Sequence, residues 1–241
     1  MKNLYSLYKL RMKIVYKNAV LVIPFAALVI FLGTMYSIKP VQVSGSFLMS
    51  GIFLFVVSSY ISMTIQFKEN DTNEEIMLLH SNSGINYYIS RELTLLSISL
   101  CFAMILTLYP ALRAAINPHI FKRPLELTDV INGGIIIIGN GLVGISLGDF
   151  FHQRIFTRKR NAIIGLVLVS VLAICKQSII YKYSFFKFMN YVMPPVMDGF
   201  QMVGSTDIFD TTGTIIILLH TILFALVIMF IKIGLLNHQK Y

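Results

Sequence analysis

Six apolar runs, each close to 20 residues long, constrain this chain more than any other feature of its sequence. They occupy residues 18–37, 45–66, 93–112, 131–150, 161–180 and 213–236. A helix needs about 20 predominantly apolar residues to cross a hydrocarbon layer of roughly 30 Å. The runs therefore predict an all-α integral membrane protein in which residues 18–241 form a domain of six transmembrane helices.

The charge content agrees with a membrane location. Only 13% of the 241 residues are charged, whereas a soluble domain carries about 25%, and the mean hydropathy is +0.74. A soluble enzyme, a disordered tail and a disulfide scaffold are excluded. The net charge of +9 is attributed to topology and to contact with anionic lipid. Membrane lipid, and not nucleic acid, is the expected partner.

The first 17 residues differ from the runs because they are amphipathic. On a helical wheel one face is basic, with Lys2, Lys9, Lys13 and Lys17, and the opposite face is apolar, with Leu4, Leu7, Ile14 and Val15. Arg11 falls on the apolar side, where we expect its stem to snorkel. This pattern predicts an amphipathic helix over residues 1–17 that lies in the membrane interface.

Basic residues predict the orientation of the chain. Of the 20 Lys and Arg residues, 13 fall on the side of the N-terminus and 7 on the other side if the runs alternate. Because basic residues are enriched in cytoplasmic loops, both termini and the segments 67–92 and 151–160 are predicted to be cytoplasmic. A composition rich in Ile, Lys, Asn and Tyr is typical of an AT-rich bacterial genome, which predicts a multi-pass protein of a bacterial plasma membrane.

The segment between the second and third runs contains signals for a short helix. Thr72 and Glu75 have the spacing of a capping box, and Gly84 suits a stop. The apolar residues that follow the cap, among them Ile76 and Leu79, are many for a solvated turn. The helix is expected to lie against the membrane or to enter a groove on a partner, and a solvated connecting helix is the alternative.

The layout and this segment resemble the ABC-2 type transporter permease family. The resemblance is carried by residues 74–92, read as Glu-Glu-Ile-Met-Leu-Leu-His-Ser up to Ser81, then a turn at Gly84 and a basic residue, Arg91, before span three. The family usually has Pro at the turn and Lys at the basic position. The resemblance implies a permease that pairs with a second permease chain, identical or paralogous, and binds separate cytoplasmic ATPase subunits. It also implies a set of ATPase-coupling residues: Thr72, Glu74, Glu75, Ile76, Leu79 and His80.

The expected activity is transport and not catalysis by this chain. The sequence has no G-x-x-x-x-G-K-[ST] motif, so it cannot hydrolyse ATP through a P-loop of its own. No cofactor is expected on this chain, and ATP and Mg are expected on the partner ATPase. The resemblance implies export of an amphipathic substrate, for which an antimicrobial or other peptide is one candidate.

Several residues inside the runs are candidates for packing or for a transport pathway. Gly141, Gly144 and Gly148 have the spacing of a close helix–helix contact. The pathway candidates are polar residues within the spans: Ser58, Ser59, Ser62, Asn140 and His220. The hydroxyl groups also suit backbone hydrogen bonds, Asn140 suits an interhelical bond, and His220 is near enough to the outer interface to reach water.

Four other residues inside the runs receive structural interpretations. Cys101 and Cys175 are expected to be buried small apolar residues. Lys176 is expected to snorkel to the outer surface, and Asp149 is expected at the inner interface beside Arg154 and Arg158.

Two other functions remain open at this stage. An intramembrane peptidase would use Glu74 and Glu75, or His80 with Cys101, although these residues do not share a place in the predicted topology. An immunity protein that binds a toxic peptide would need neither an ATPase nor a nucleophile.

Overall fold

The computed structural model describes residues 2–68, 84–152, 155–156, 158–204 and 206–238. Within these ranges the chain is helical and contains no β-strand. The helices are α1 (Lys2–Lys17), α2 (Val22–Met35), α3 (Val43–Lys68), α4 (Gly84–Ile116), α5 (Leu127–Phe150), α6 (Lys159–Lys182), α7 (Met189–Val192), α8 (Asp198–Val203) and α9 (Thr211–His238), with 3₁₀ turns at Pro118–Ile120 and Ser184–Phe188.

Five of the described helices are long and apolar enough to cross a membrane, namely α3, α4, α5, α6 and α9. A sixth span exists only if α1 and α2 count together, and these two helices are bent by 70° at the break between them. At 1.5 Å per residue, the 14 residues of α2 extend about 21 Å, which is short of a full crossing. The prediction of an all-α, multi-pass membrane protein is thus confirmed at this level.

The third span is longer than the sequence indicated. Helix α4 continues through Tyr109 and Pro110 and ends at Ile116, and it begins at Gly84, so that Arg91 lies inside it. The predicted run of residues 93–112 is therefore extended at both ends, and Pro110 lies inside the helix because transmembrane helices tolerate proline when their neighbours compensate for the lost hydrogen bond.

Helices α3 and α5 form the centre of the bundle. About 67% of the most apolar stretch of α3 and 72% of that of α5 are buried, against 17% for both α6 and α9. Leu54 and Phe55 of α3 are fully buried, as are Ile137 and Val143 of α5. Helices α4 and α9 pack against α5, and α6 lies at the periphery. The central pair therefore provides the fixed element against which the outer spans are positioned.

Large apolar side chains cover the outer surface of the bundle. Those more than half exposed include Val22, Ile30, Ile164, Val167, Ile216, Leu223 and Phe230 on α2, α6 and α9. Cys101 and Cys175 are exposed on this surface as well, so their expected burial was wrong. A surface of this kind fits a chain surrounded by hydrocarbon or by partner helices.

The bundle has two ends. The α1 end contains Lys17, Lys68, Gly84, Phe150 and Lys159, and the far end contains the residues at the opposite ends of the same spans. The far end is closed by an ion pair in which Arg123 donates two 2.7 Å hydrogen bonds to Asp129. These bonds raise the pKa of Arg123.

Asp207 links the start of α3 to Arg123 at the far end. Its carboxylate accepts hydrogen bonds from the backbone N–H groups of Val43 at 3.2 Å and Ser44 at 2.9 Å, which are orphan donors at the start of α3. Its backbone oxygen accepts from Arg123. The segments before α3, α5 and α9 are therefore held together at the far end.

Candidate functional site

A cluster of charged side chains is buried where α3, α4, α5 and α9 meet at the α1 end. The charge cluster consists of Arg91 and Glu92 on α4, Asp149 on α5 and Lys232 on α9, with Gln66 of α3 as its neutral member. Gln66 precedes the end of α3 by two residues, and Asp149 precedes the end of α5 by one. Each span thus contributes its polar group near the same end of the bundle.

Arg91 and Asp149 form the central ion pair. The Nη2 atom of Arg91 lies 2.6 Å from Oδ1 of Asp149, and both side chains are 1% exposed. Gln66 donates from Nε2 to Oδ1 and to the backbone oxygen of Asp149, both at 2.8 Å. Asp149 therefore bridges α3 and α4 from its place on α5.

Lys232 brings α9 into the same cluster. Its Nζ forms ion pairs with Oδ2 of Asp149 and, at 3.2 Å, with Oε1 of Glu92. The Nζ also lies 5.7 Å from the centre of the Tyr88 ring, a distance at which a cation is attracted to the aromatic face. Two cations and two anions thus balance one another, and of these four side chains Arg91, Asp149 and Lys232 are shielded from water whereas Glu92 is partly exposed.

The energetics of such a cluster are asymmetric. A buried ion pair adds little net stability relative to apolar residues, because desolvation offsets the attraction. Removal of one partner, however, leaves an uncompensated buried charge and costs about 3–5 kcal/mol. The cluster therefore acts less as a source of stability than as a constraint, since its helices cannot separate without exposing or stranding a charge.

Helix α1 is attached beside the cluster. The guanidinium carbon of Arg11 lies 4.3 Å from the centre of the Tyr87 ring, and Tyr87 in turn packs against Tyr88. The side chain of Arg11 is buried, so the expected snorkelling of this residue was wrong. Stacking on an aromatic ring, which a weakly hydrated guanidinium favours, places α1 in contact with the first turns of α4.

His152 forms the boundary of the cluster after α5. Its Nε2 lies 3.2 Å from Nη1 of Arg91. Because the guanidinium only donates hydrogen bonds, this nitrogen acts as the acceptor and is unprotonated. The imidazole thus connects Arg91 of α4 to the turn that follows α5.

The placement of Asp149 corrects the sequence interpretation. It was expected at the interface beside Arg154 and Arg158, but its partners are Arg91, Lys232 and Gln66 in the interior. Sequence reasoning missed the cluster because it counted Arg91 and Lys232 among the basic residues of the cytoplasmic side. The available signal was that charges of opposite sign lie near the same predicted membrane boundary of three different spans.

The chemistry of the cluster favours a mechanical role. Each charged group is held by an opposite charge, and Glu92 borders an apolar crevice of about 170 Å³ between α4, α5 and α9. Within the described part of the chain, no group of three or more His, Cys, Asp and Glu residues is arranged to hold a metal ion. The arrangement can join four spans and transmit movement among them.

The six ATPase-coupling residues lie outside the described residues: Thr72, Glu74, Glu75, Ile76, Leu79 and His80. Their interpretation stays a prediction. The sequence nevertheless places the segment 69–83 between the end of α3 at Lys68 and the start of α4 at Gly84. Both neighbouring helices contribute side chains to the charge cluster.

The three packing glycines lie on α5, where this helix contacts its neighbours. A side chain on Gly144 would collide with the backbone oxygen of Phe55, and one on Gly148 with that of Ser59. Gly141 faces Ser99 and Leu54. Two glycines one turn apart thus let the backbones of α3 and α5 approach directly.

The hydroxyl groups of α3 and the amide of α5 are enclosed in the bundle. Ser58 is 3.1 Å from the hydroxyl of Ser99, and Ser59 donates to the backbone oxygen of Phe55 at 2.8 Å. Ser62 is fully buried, and Asn140 donates to the backbone oxygen of Val196 at 3.3 Å. Ser58 thus joins α3 to α4 and Asn140 joins α5 to the segment before α8, whereas the hydrogen bond of Ser59 stays within α3.

His220 belongs to a second polar cluster, near the far end. Its Nδ1 lies 3.5 Å from Oδ2 of Asp198, while Nζ of Lys176 lies 2.6 Å from Oδ1 of the same carboxylate. Lys176 is fully buried, so its expected snorkelling was wrong. Asp198 of α8 thereby ties the peripheral helix α6 to α9.

The fold defines the class of this protein as an all-helical, multi-pass membrane protein. Buried ion pairs join its spans, and its amphipathic first helix packs against the start of α4. No protein-family model, no curated protein and no solved structure matches this chain. Its own geometry therefore carries the functional proposal.

Proposed function

We propose that this chain is the membrane-spanning permease subunit of an ATP-driven exporter of the ABC-2 type. It pairs with a second permease chain, identical or paralogous, and with two cytoplasmic ATPase subunits that bind ATP and Mg. The substrate is an amphipathic molecule, for which an antimicrobial or other peptide is the leading candidate. The α1 end faces the cytoplasm of a bacterial cell, with both termini on that side.

One observation carries this proposal, namely the position of the charge cluster relative to the predicted coupling segment. Arg91 and Glu92 lie in the first turns of α4, a few residues after residues 69–83. Arg91 pairs with Asp149 of α5, and Glu92 pairs with Lys232 of α9. A displacement of the coupling segment would therefore reach three spans through ion pairs that resist separation.

Transmission from the cluster into the bundle follows from the packing of α3 and α5. These helices touch backbone to backbone at Gly144 and Gly148, so they would move as one rigid unit. Gln66 and Asp149 connect this unit to the cluster. Helix α6 is peripheral and mostly exposed, so it would shift against this unit, which is how a pathway between two permease chains would open.

The proposed assembly is tested by purifying the tagged chain from the membranes of the organism that makes it. Mass measurement in nanodiscs should find two permease chains with two copies of an ATP-hydrolysing subunit. Proteoliposomes that contain this assembly should export substrate only when ATP and Mg are present. A single chain that transports without a nucleotide-binding partner would overturn the proposal.

The same preparation separates transport from peptidase chemistry. Cys101, the nucleophile of the peptidase alternative, lies on the exposed face of α4. Replacement of Cys101 by Ser should leave transport unchanged, and Cys175→Ser provides a matched control on α6. Loss of activity in Cys101→Ser alone would favour the peptidase.

A further inference from the structure

A groove between α1 and α4 has the dimensions and the lining of a lipid site. It has a volume of about 630 Å³ and is lined by Leu4, Tyr5 and Tyr8 of α1 and by Asn86, Ile89, Leu93 and Ser97 of α4. Most of this lining is apolar, and Ile89 and Leu93 remain partly exposed in it. The hydroxyl of Tyr8 donates to Ser97 at 3.1 Å, which joins the two walls at one end.

The length of the groove matches one leaflet. Asn86 lies two residues after the start of α4, at the α1 end, and Ser97 lies eleven residues further into the span. At 1.5 Å per residue, the lining extends about 16 Å along α4. Half of a hydrocarbon core of roughly 30 Å is about 15 Å. A single acyl chain that enters at the interface would therefore fill the groove.

The charge of α1 selects the headgroup. The sequence of α1 contains five basic residues and no acidic residue. Lys9, which shares a helix face with Tyr5, is exposed, as is Lys13. The one buried basic residue of this helix, Arg11, is stacked on Tyr87. Lys9 thus presents positive charge at the edge of the apolar groove, and Lys13 adds to the positive charge of the same helix, which is the complement of an anionic lipid.

We propose that the groove between α1 and α4 is a binding site for an acyl chain of an anionic phospholipid, with the headgroup at the lysines of α1. The bound lipid would be a structural component that holds α1 against α4. This assignment is independent of the transport function, since it depends only on α1, α4 and a membrane.

The proposal is tested with a phosphatidylglycerol that carries a photoactivatable diazirine on one acyl chain. The full chain is placed in phosphatidylcholine nanodiscs that contain a small fraction of this probe, and labelled peptides are identified by mass spectrometry. Peptides from α1 and from residues 86–97 should be labelled several-fold more than the exposed surface of α6. Phosphatidylcholine with the same diazirine chain should label the groove several-fold less.

Two variants, each with its own control, test the apolar groove and the charge of the lysines separately. Ile89→Trp fills the groove and should reduce its labelling several-fold, whereas Leu168→Trp, on the exposed face of α6, should not. The double variant Lys9→Gln and Lys13→Gln should remove the preference for phosphatidylglycerol but retain labelling. Lys122→Gln, which is exposed at the far end, serves as its control.

Three outcomes would overturn the assignment. Equal labelling of the groove and of α6 would show only lipid that surrounds the whole protein. Equal labelling by both lipids in the wild-type chain would remove the role of the lysines. Cross-linking experiments that place residues 69–83 or a second copy of the chain in the groove would assign it to protein. The wild-type comparison of the two lipids remains decisive even if Ile89→Trp fails to fold.

Discussion

Arg91 on α4 and Asp149 on α5 face each other at 2.6 Å although both side chains are shielded from water. Such a pair is sensitive to the loss of one member. Replacing Arg91 by Met should lower the free energy of unfolding by about 3–5 kcal/mol, since Lys232 alone would then have to balance the carboxylates of both Asp149 and Glu92. Unfolding of the purified protein in detergent measures this loss.

A double variant makes the test specific to the pair. Arg91→Met with Asp149→Leu removes both charges and leaves Lys232 paired with Glu92. Its loss should fall short of the sum of the single losses by about 0.5–3 kcal/mol. Lys122→Gln, an exposed control, should stay within about 0.5 kcal/mol of the wild type. Strict additivity would mean that the two side chains do not interact.

The sequence predicted the spans but not the relationships between them. Run length follows from membrane thickness, so α3, α5, α6 and α9 were placed to within a few residues. The sequence of a uniformly apolar helix does not show which of its faces is buried, because its hydrophobic residues are not concentrated on one side. Cys101 and Cys175 were therefore assigned to the wrong environment.

The charge cluster illustrates the same limit for polar residues. Asp149 and Lys232 are separated by most of two spans in the sequence, and each lies near the end of an apolar run. A charge at that position is equally compatible with water and with a buried partner. Only the packing of α4, α5 and α9 decides between these environments, and it depends on contacts distant in the chain.

The close contact of α3 and α5 should not tolerate a side chain at Gly144. A Cβ atom there would meet the backbone oxygen of Phe55, which cannot move without the whole helix. Gly144→Ala should destabilise the protein by about 1–3 kcal/mol. Gly33→Ala in α2, where no atom lies within 4 Å of the added Cβ, should instead be neutral or stabilise by up to about 1 kcal/mol. Equal thermal midpoints in detergent for the two variants would contradict this packing.

Asp198 should control how firmly α6 is held. Asp198→Ala leaves Lys176 buried without its carboxylate, so α6 should detach more often, and amide hydrogen exchange over residues 165–182 should accelerate. Adding Lys176→Met should restore protection because no charge remains to be solvated. Asp210→Ala serves as control, since this carboxylate caps the start of α9 and its loss should affect α9 alone. Unchanged exchange of α6 in Asp198→Ala would rule out this role.

The orientation of the chain is testable by cysteine labelling once the exposed Cys101 and Cys175 have been replaced by Ser. New cysteines at His119 and Tyr191, both exposed at the far end, should react with an impermeant reagent from outside the cell. Ile120 is unsuitable because it is buried. New cysteines at Asn18 and Thr72 should react only after the membrane is opened. The reverse pattern would remove the proposed cytoplasmic ATPase contact.

Docking of the ATPase and transmission through the bundle should be separable by mutation. Ile76→Asp with Leu79→Asp places two charges on the predicted docking face, where an unpaired buried charge costs several kcal/mol, and each 1.4 kcal/mol is about a tenfold loss of affinity. This variant should insert normally but lose its ATPase. Glu75→Ala removes a cap contact worth about 0.5–2 kcal/mol, so this variant should retain more of the bound ATPase than the Asp variant does.

The variant Arg91→Met with Asp149→Leu tests transmission. It should retain the ATPase, but ATP hydrolysis should no longer drive export, because the ion pair between α4 and α5 is gone. Pull-down of the ATPase and transport in proteoliposomes provide the two readouts. If the Asp variant keeps its ATPase and full transport, the coupling contact must lie in residues 151–160 or on α1.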